Sequence, residues 1–352
     1  MQKKSLFASI AVGIMLMASS VTAAFADGIN FNAVKSKSLM GSPEATVRFR
    51  VGTTTAPDGH YVKGLQEMQR LLELYSQGEM TLDIYPNSLL GDERGMMELV
   101  GLGIQDMCLI STGPIPNFAP DFSVLDLPYL FEDEAAAYAG MDGPVGDKLL
   151  AELSKFDIKG LGFWENGFRH LTNGKVPVKH PSELAGLKIR TMENTIHIAT
   201  YELLGALATP MAWSEIFTAL QQGTVDGQEN PIAIIETAKV YEVQPYLSMI
   251  GLFYSPCVLM VSQKTFDRLS PEQQEIFLRA SEEAKHFQRQ YSMDYNAVAI
   301  EKMKAAGVQI IDVDLDEWKK AVQPIYDMHE ELKVNMDLVK MLTEPAESAP
   351  AA

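Results

Sequence analysis

Two apolar periods take turns along this chain. Val47, Phe49 and Val51 alternate with Arg48 and Arg50, the mark of a half-buried strand. A Thr-rich loop over residues 52–59 follows. Then Leu65, Met68, Leu71, Leu72 and Tyr75 recur at helical spacing, and Gly78 suits the C′ position. Leu82 and Ile84 mark a second strand that ends near Pro86. Gly91 to Arg94 open a short helix carrying Met96, Met97, Leu99 and Val100, and residues 107–110 read as a third strand. Strand, helix, strand, helix, strand predicts an α/β fold whose sheet is mostly parallel and covered by helices. Ligands bind such sheets outside the carboxyl ends of the strands, which selects residues 52–60, 88–93 and 111–118.

The alternation resumes downstream. Residues 132–156 read as helical, with an interruption at Gly143-Pro144, and Lys159 to Trp164 as a buried strand. Residues 181–231 repeat the βαβ pattern. They hold an apolar strand, Leu187-Lys188-Ile189-Arg190, two helix-like runs, and a tight polar turn over 225–231. The apolar run 249–262 is long enough to pass between two lobes. Ser270-Pro271-Glu272-Gln273 is a helix start with Ser as N-cap and Gln at N3, and the helical pattern then runs to Ala306, where Gly307 stops it. At 1.5 Å per residue that helix spans roughly 54 Å, enough to brace both lobes. The expected organisation is one lobe from 46–166 plus about 256–297, and a second from 167–255 plus about 298–342. Residues 27–45 are expected to be a flexible leader and 343–352 a disordered tail.

The first 26 residues change the setting. Lys3 and Lys4, an apolar run from Leu6 and Ala24-Phe25-Ala26 make a secretory signal peptide cleaved after Ala26, so the mature protein is expected in the periplasm. Without those two lysines, 27 basic residues face 46 acidic ones, a balance of −19. Such a balance argues against nucleic acid or an anionic membrane surface as partner, and any anion site must be a local positive spot. Cys108 and Cys257 lie in apolar runs and read as buried free thiols. The histidines are scattered and no His-Glu-x-x-His pair occurs. No nucleophile elbow or Walker loop occurs, and Gly101-x-Gly103 lacks its third glycine. No metal and no cofactor is expected. Paired carboxylates of an exported hydrolase stay open as an alternative.

What remains is a set of polar residues at strand ends. Arg190 either caps local carbonyls, pairs with Asp226 or Glu229, or faces a cleft, where its planar fork would match a carboxylate or sulfonate. Arg169 follows another strand and reads as a salt-bridge or cleft residue. Asn230 precedes Pro231 and is held extended, so it either caps the next helix or faces the ligand. Trp213, before a presumed N-cap at Ser214, walls a pocket or fills the core.

Taken together, these pieces resemble the DctP-type solute-binding proteins of tripartite ATP-independent periplasmic (TRAP) transporters. The matching runs are Leu187–Arg190, Leu204-Gly205-Ala206 with Thr209–Glu215, Thr218–Gly223 and Val225–Pro231, joined by Tyr85-Pro86-x-Ser88-x-Leu90-Gly91-Asp92, Leu127-Pro128-Tyr129 and Gly167-x-Arg169 with Thr172-Asn173. The likeness covers about residues 47–326. It implies a two-lobed periplasmic-binding-protein-like fold, with lobes joined by crossing segments and a long spanning helix, closing on a small organic anion. It implies a bidentate salt bridge from Arg190 to the ligand's carboxylate, a second cation at Arg169, a donor at Asn230 and a ring at Trp213. Sialic-acid binders of the family carry a carboxylate where Ser111 stands, so Ser111 speaks against that ligand. Glu93, Asp92, His60 and Tyr254 are expected to line the far end. The resemblance further implies no enzymatic activity, membrane permease subunits as partners, and a monomer. C4-dicarboxylates, sugar acids, oxo acids and sulfonates all fit, and a ligand-sensing role beside a membrane sensor stays open.

Overall fold

The computed structural model describes residues 38–343. The expected signal peptide and its cleavage site, the first part of the expected leader and nearly all of the expected tail lie outside them. Ten strands join into a single sheet whose main path begins with three parallel strands in the order β2-β1-β3: β1 (Val47–Thr53), β2 (Met80–Tyr85) and β3 (Met107–Ser111). The connections are α1 (His60–Tyr75) and α2 (Glu93–Leu102). Asp92 caps α2 by accepting from Gly95 N at 2.7 Å, and Gly103 ends it at φ +72°. Residues 38–45 run beside β2, where Ile84 N donates to Leu39 O at 2.7 Å.

The chain then enters β4 (Ile158–Asn173), 16 residues long. A second parallel set follows, β5 (Lys188–Thr191), β6 (Leu207–Pro210) and β7 (Gly227–Pro231), with α3 (Thr195–Leu203) between β5 and β6. α4 (Ile232–Thr237), β8 (Tyr246–Ser248), β9 (Tyr254–Ser262), α5 (Pro271–Ala305) and β10 (Gln309–Ile311) complete the described core. β4 pairs antiparallel with β9 over 158–168 and with β7 over 169–173. One strand therefore belongs to both lobes. α5 packs against α1, β4 and α4 and so touches both as well. Its start follows the expected capping box: Ser270 Oγ accepts from Gln273 N at 3.2 Å, and Gln273 Oε1 accepts from Ser270 N at 2.9 Å.

Packing follows the apolar pattern. Phe49, Val51, Leu65, Leu72 and Leu82 close on Phe277, Ala280 and Ala284 of α5 on one face of the first lobe. Met96, Val100, Phe122, Leu125 and Phe163 fill the other face. Leu171, Ile189, Tyr201, Leu252 and Trp318 form the core of the second lobe.

Four expectations change. Residues 225–231 are not a turn, since 227–231 form the fully buried strand β7. A polar sequence can do this because each polar side chain finds a partner: Gln228 Nε2 donates to Thr172 Oγ1 at 2.8 Å, and Glu229 holds Arg169. The apolar run 249–262 does not form one strand; only 254–262 do, and the long crossing strand is β4. Ser214 caps nothing, because Trp213–Glu215 form a 3-10 turn ahead of the helix Ile216–Gln221. The last described helix, Met336–Thr343, sits on the first lobe rather than the second. Its Leu338, Val339 and Leu342 share a core with Phe131, Ala137 and Met141.

Candidate functional site

The carboxyl ends of β1, β3 and β5, the middle of β4 and the end of β7 surround one cavity. Arg190 reaches it from β5. The side chain is 3% exposed, and Nε and Nη2 donate to Met211 O at 2.9 and 2.6 Å. The carbonyl-capping and cleft readings thus hold together: one edge of the fork is fixed by Met211, while Nη1 is engaged by no described residue. Burial, reinforced by the nearby charge of Arg169, pushes the guanidinium down to about 10.

Arg169 enters from β4. Its Nε and Nη2 grip both carboxylate oxygens of Glu229, and Nη2 also donates to Glu229 O at 2.8 Å. Nη1 is buried with no hydrogen-bond partner. Burial works against ionising Glu229, yet Arg169 and His197 together outweigh it and hold the carboxyl at about 2. Arg169 is therefore an internal ion pair and a cavity wall at once.

Glu93, the first residue of α2, brings negative charge to the same cavity. Oε1 accepts from Ser111 N and Oε2 from Ser111 Oγ, each at 2.7 Å. Burial pushes this carboxyl up, and the two Ser111 bonds oppose the rise. The strand end where Ser111 stands thus has a carboxylate after all, supplied by the neighbouring helix. Asn230 lines the cavity from β7, its Nδ2 donating to Gln228 Oε1. Trp213 walls it from the 3-10 turn. An adjoining recess adds Asp92, Arg94 and Pro114.

Two expected residues are not brought in. His60 is fully buried at the start of α1, neither ring nitrogen has a hydrogen-bond partner, and burial pushes it down to about 3, so it is a neutral core residue. Tyr254 pairs across the sheet with Phe168, and cross-strand partners share a face. That face lies opposite Arg169. Tyr254 meets Phe131 and Phe168 edge to face and donates its hydroxyl to Glu165.

Other residues line the cavity without having been singled out: Thr54, Thr55, Tyr61, Asn166, Met192 and Ile234. The strand-end rule had marked the loop holding Thr54 and Thr55. Asn166 has a weaker signal, the glycine beside it. Its Oδ1 is buried without a partner, while Nδ2 donates to Ser255 Oγ at 3.3 Å. Cys108 and Cys257 are free and buried. Among the described residues no group of three or more His, Cys, Asp or Glu is placed to hold a metal, and no helix is long and apolar enough to cross a membrane.

Residues 51–332 match the family model described as bacterial extracellular solute-binding protein, family 7. A solute-binding protein of Verminephrobacter eiseniae is 40% identical over 282 residues, which cover 80% of this chain and 84% of that one. A TRAP periplasmic solute-binding protein from a Polaromonas species, solved with D-erythronate, is 40% identical with a TM-score of 0.81, covering 87% of this chain and 100% of that one. The sugar acid binding protein of Advenella mimigardefordensis, solved with galactonate, is 33% identical with a TM-score of 0.82, covering 85% and 97%.

Proposed function

This chain belongs to bacterial extracellular solute-binding protein family 7, and we propose that it captures a polyhydroxy monocarboxylate, a sugar acid, between its lobes. It works in the periplasm as a monomer, after loss of residues 1–26, and hands the acid unchanged to the membrane subunits of a TRAP transporter. In this reading the lobes are 46–166 with about 256–297, and 167–255 with the segment after about 298, apart from the last helix.

One observation carries the reading: Arg190 and Arg169 converge on a cavity that the Glu93 carboxylate also lines. Guanidinium N–H groups left over from internal bonds take the ligand's carboxylate, and bonds to a charged acceptor are the strong ones. Each Glu93 oxygen already has one donor from Ser111 and keeps lone pairs for ligand hydroxyls. Thr54, Thr55 and the free Oδ1 of Asn166 extend the polar lining. A second ligand carboxylate would meet Glu93 instead. Two like charges 4 Å apart at an effective dielectric of 20 repel by about 4 kcal/mol. Glu93 therefore selects sugar acids over dicarboxylates. The relatives solved with D-erythronate and galactonate fit this class.

A thermal-shift panel tests it. A ligand at 100 times its Kd stabilises by about 2.7 kcal/mol. D-galactonate, D-erythronate and related acids are expected to raise Tm by several degrees and to be recovered unchanged, while succinate gives little shift. Succinate outperforming every sugar acid would overturn the class, and a flat response to all acids would overturn the anion site. Turnover of any panel acid would overturn the receptor reading.

A further inference from the structure

Behind Arg169 a line of buried charge runs away from the cavity. Glu229, which grips Arg169, also has Oε1 3.8 Å from His197 Nδ1, and His197 Nε2 lies 3.4 Å from Asp126 Oδ1. Arg169, Glu229, His197 and Asp126 are each at most 1% exposed. The imidazole stacks flat on Phe253, with centroids 3.9 Å apart and planes 6° apart. Asp126, at the end of the 3-10 turn Pro120–Asp126, belongs to the first lobe's packing, while His197 stands on α3 next to β5. Asn194 ties the two: its Nδ2 donates to Asp126 Oδ2 at 2.7 Å and to Gly113 O at 2.9 Å, and its Oδ1 accepts from His197 N at 3.1 Å.

The charges have to balance in this dry space. With a neutral imidazole, two carboxylates stand against Arg169 alone, leaving one buried negative charge beside an anion site. An uncompensated buried charge is costly, and it would also repel the incoming carboxylate. With an imidazolium, the four groups sum to zero. The surroundings favour that state: burial works against the charged ring and neither ring nitrogen makes a hydrogen bond, but the nearby carboxylates of Asp126 and Glu229 outweigh burial, so its proton affinity is raised. Tyr201, one turn further along α3, has its hydroxyl driven further from ionisation by burial and adds no charge.

We propose that His197 is a third, buried cation of the anion site, offsetting Asp126 and Glu229 so that Arg169 keeps its charge for a ligand carboxylate. It touches no ligand and acts through Glu229. The proposal rests on the reading of the cleft as an organic-anion site.

Calorimetry at pH 7.5 with D-galactonate, and with D-erythronate as second probe, compares wild type, His197→Gln and His197→Gln/Asp126→Asn. Removing the cation alone is expected to weaken binding by at least about tenfold, the effect of about 1.4 kcal/mol. Removing one carboxylate as well restores the charge sum, and affinity is expected to return to within about threefold of wild type. Contact loss alone would make the double variant weaker still. That result, or wild-type binding by His197→Gln, overturns the proposal. Where a variant does not fold, ¹⁵N-histidine NMR of the wild-type protein at pH 7.5 decides: an imidazolium at His197 is expected, and a neutral tautomer refutes the charge role. A wild type that binds neither probe nor any other panel acid brings down the anion-site reading itself. Failure confined to the variants brings down only the role of His197.

Discussion

Arg190→Ala separates binding from stability. The substitution removes one of the two cations at the cavity, and truncating one partner of a buried, hydrogen-bonded charge pair costs about 2–5 kcal/mol. At 1.4 kcal/mol per decade, a middle value of about 3–4 kcal/mol raises Kd by about 10²- to 10³-fold. The ligand-free fold feels two opposed changes. The bonds from Nε and Nη2 to Met211 O are lost, a cost of about 1–3 kcal/mol. Against that, the fold loses a cation that it holds at a disadvantage. Arg190 is 3% exposed, and burial and the charge of Arg169 lower its proton affinity to about 10. These terms offset, so the ligand-free Tm is expected to stay within about 3 °C of wild type. The assay is a pair of melts with and without D-galactonate, joined to calorimetry. Wild type gains several degrees from the ligand, and the variant gains none. Unchanged affinity would refute the anchor role. A ligand-free Tm lower by about 10 °C or more would make Arg190 a structural residue first.

Three further substitutions follow. Glu93→Gln replaces one acceptor oxygen with a donor and removes the charge, so galactonate is expected to weaken about tenfold while succinate gains on it in a competition assay. Glu165 is pushed up to about 7 by burial, against the hydroxyls of Tyr254 and Tyr138. Between an unfolded value of about 4.3 and that folded value, the folded state holds the extra proton, so this group's contribution falls as pH rises through the window and stays lost above it. Melts at pH 5 and pH 8 are expected to show Glu165→Gln gaining on wild type by at most about 2–3 kcal/mol at the higher pH, and an equal difference at both would refute this. Gly167→Ala places a side chain at φ +127°, with its Cβ 3.1 Å from Pro231 Cβ. At about 1–3 kcal/mol of strain, both Tm and galactonate affinity are expected to fall.

What could be read from the sequence follows a physical line. Apolar periods gave the strands around Phe49, Leu82 and Met107, and the capping residues Ser270 and Gln273 gave the start of α5 to the residue. These are local signals. Residues 227–231 were misread because their polarity is satisfied by Thr172 and Arg169, partners more than fifty positions away. Arg190 and Arg169 were legible as strand-end cations, yet which one pairs internally was not, since that depends on Glu229 lying across β4. Tyr254 failed for a related reason: its residue type suits a binding site, but which side of the sheet a side chain takes is set by register. His60 is the first residue of α1 and is fully buried there, away from the cavity. Met192 and Ile234 gave no signal, being apolar residues beyond strand ends, no different in type from the core.

Register is also what aims the site. In a regular strand, residues an even number apart share a face. Asn166 and Arg169 are three apart, yet both line the cavity. The ladder explains it: Glu165 pairs with Pro256 and Gly167 with Ser255, so β4 spends one more residue than β9 at this point. Asn166 is that extra residue, and the next position, Gly167, takes the left-handed backbone that favours glycine. Beyond the bulge Phe168 and His170 turn to the opposite side, toward Tyr129 and Lys319. Arg169, the only arginine in β4, turns to the cavity and to Glu229. Without the bulge, the segment after it would flip, putting Phe168 against the ligand and Arg169 on the side now held by Tyr254. The bulge lies at the crossing between the lobes. There, one inserted residue decides whether the second cation faces the anion at all.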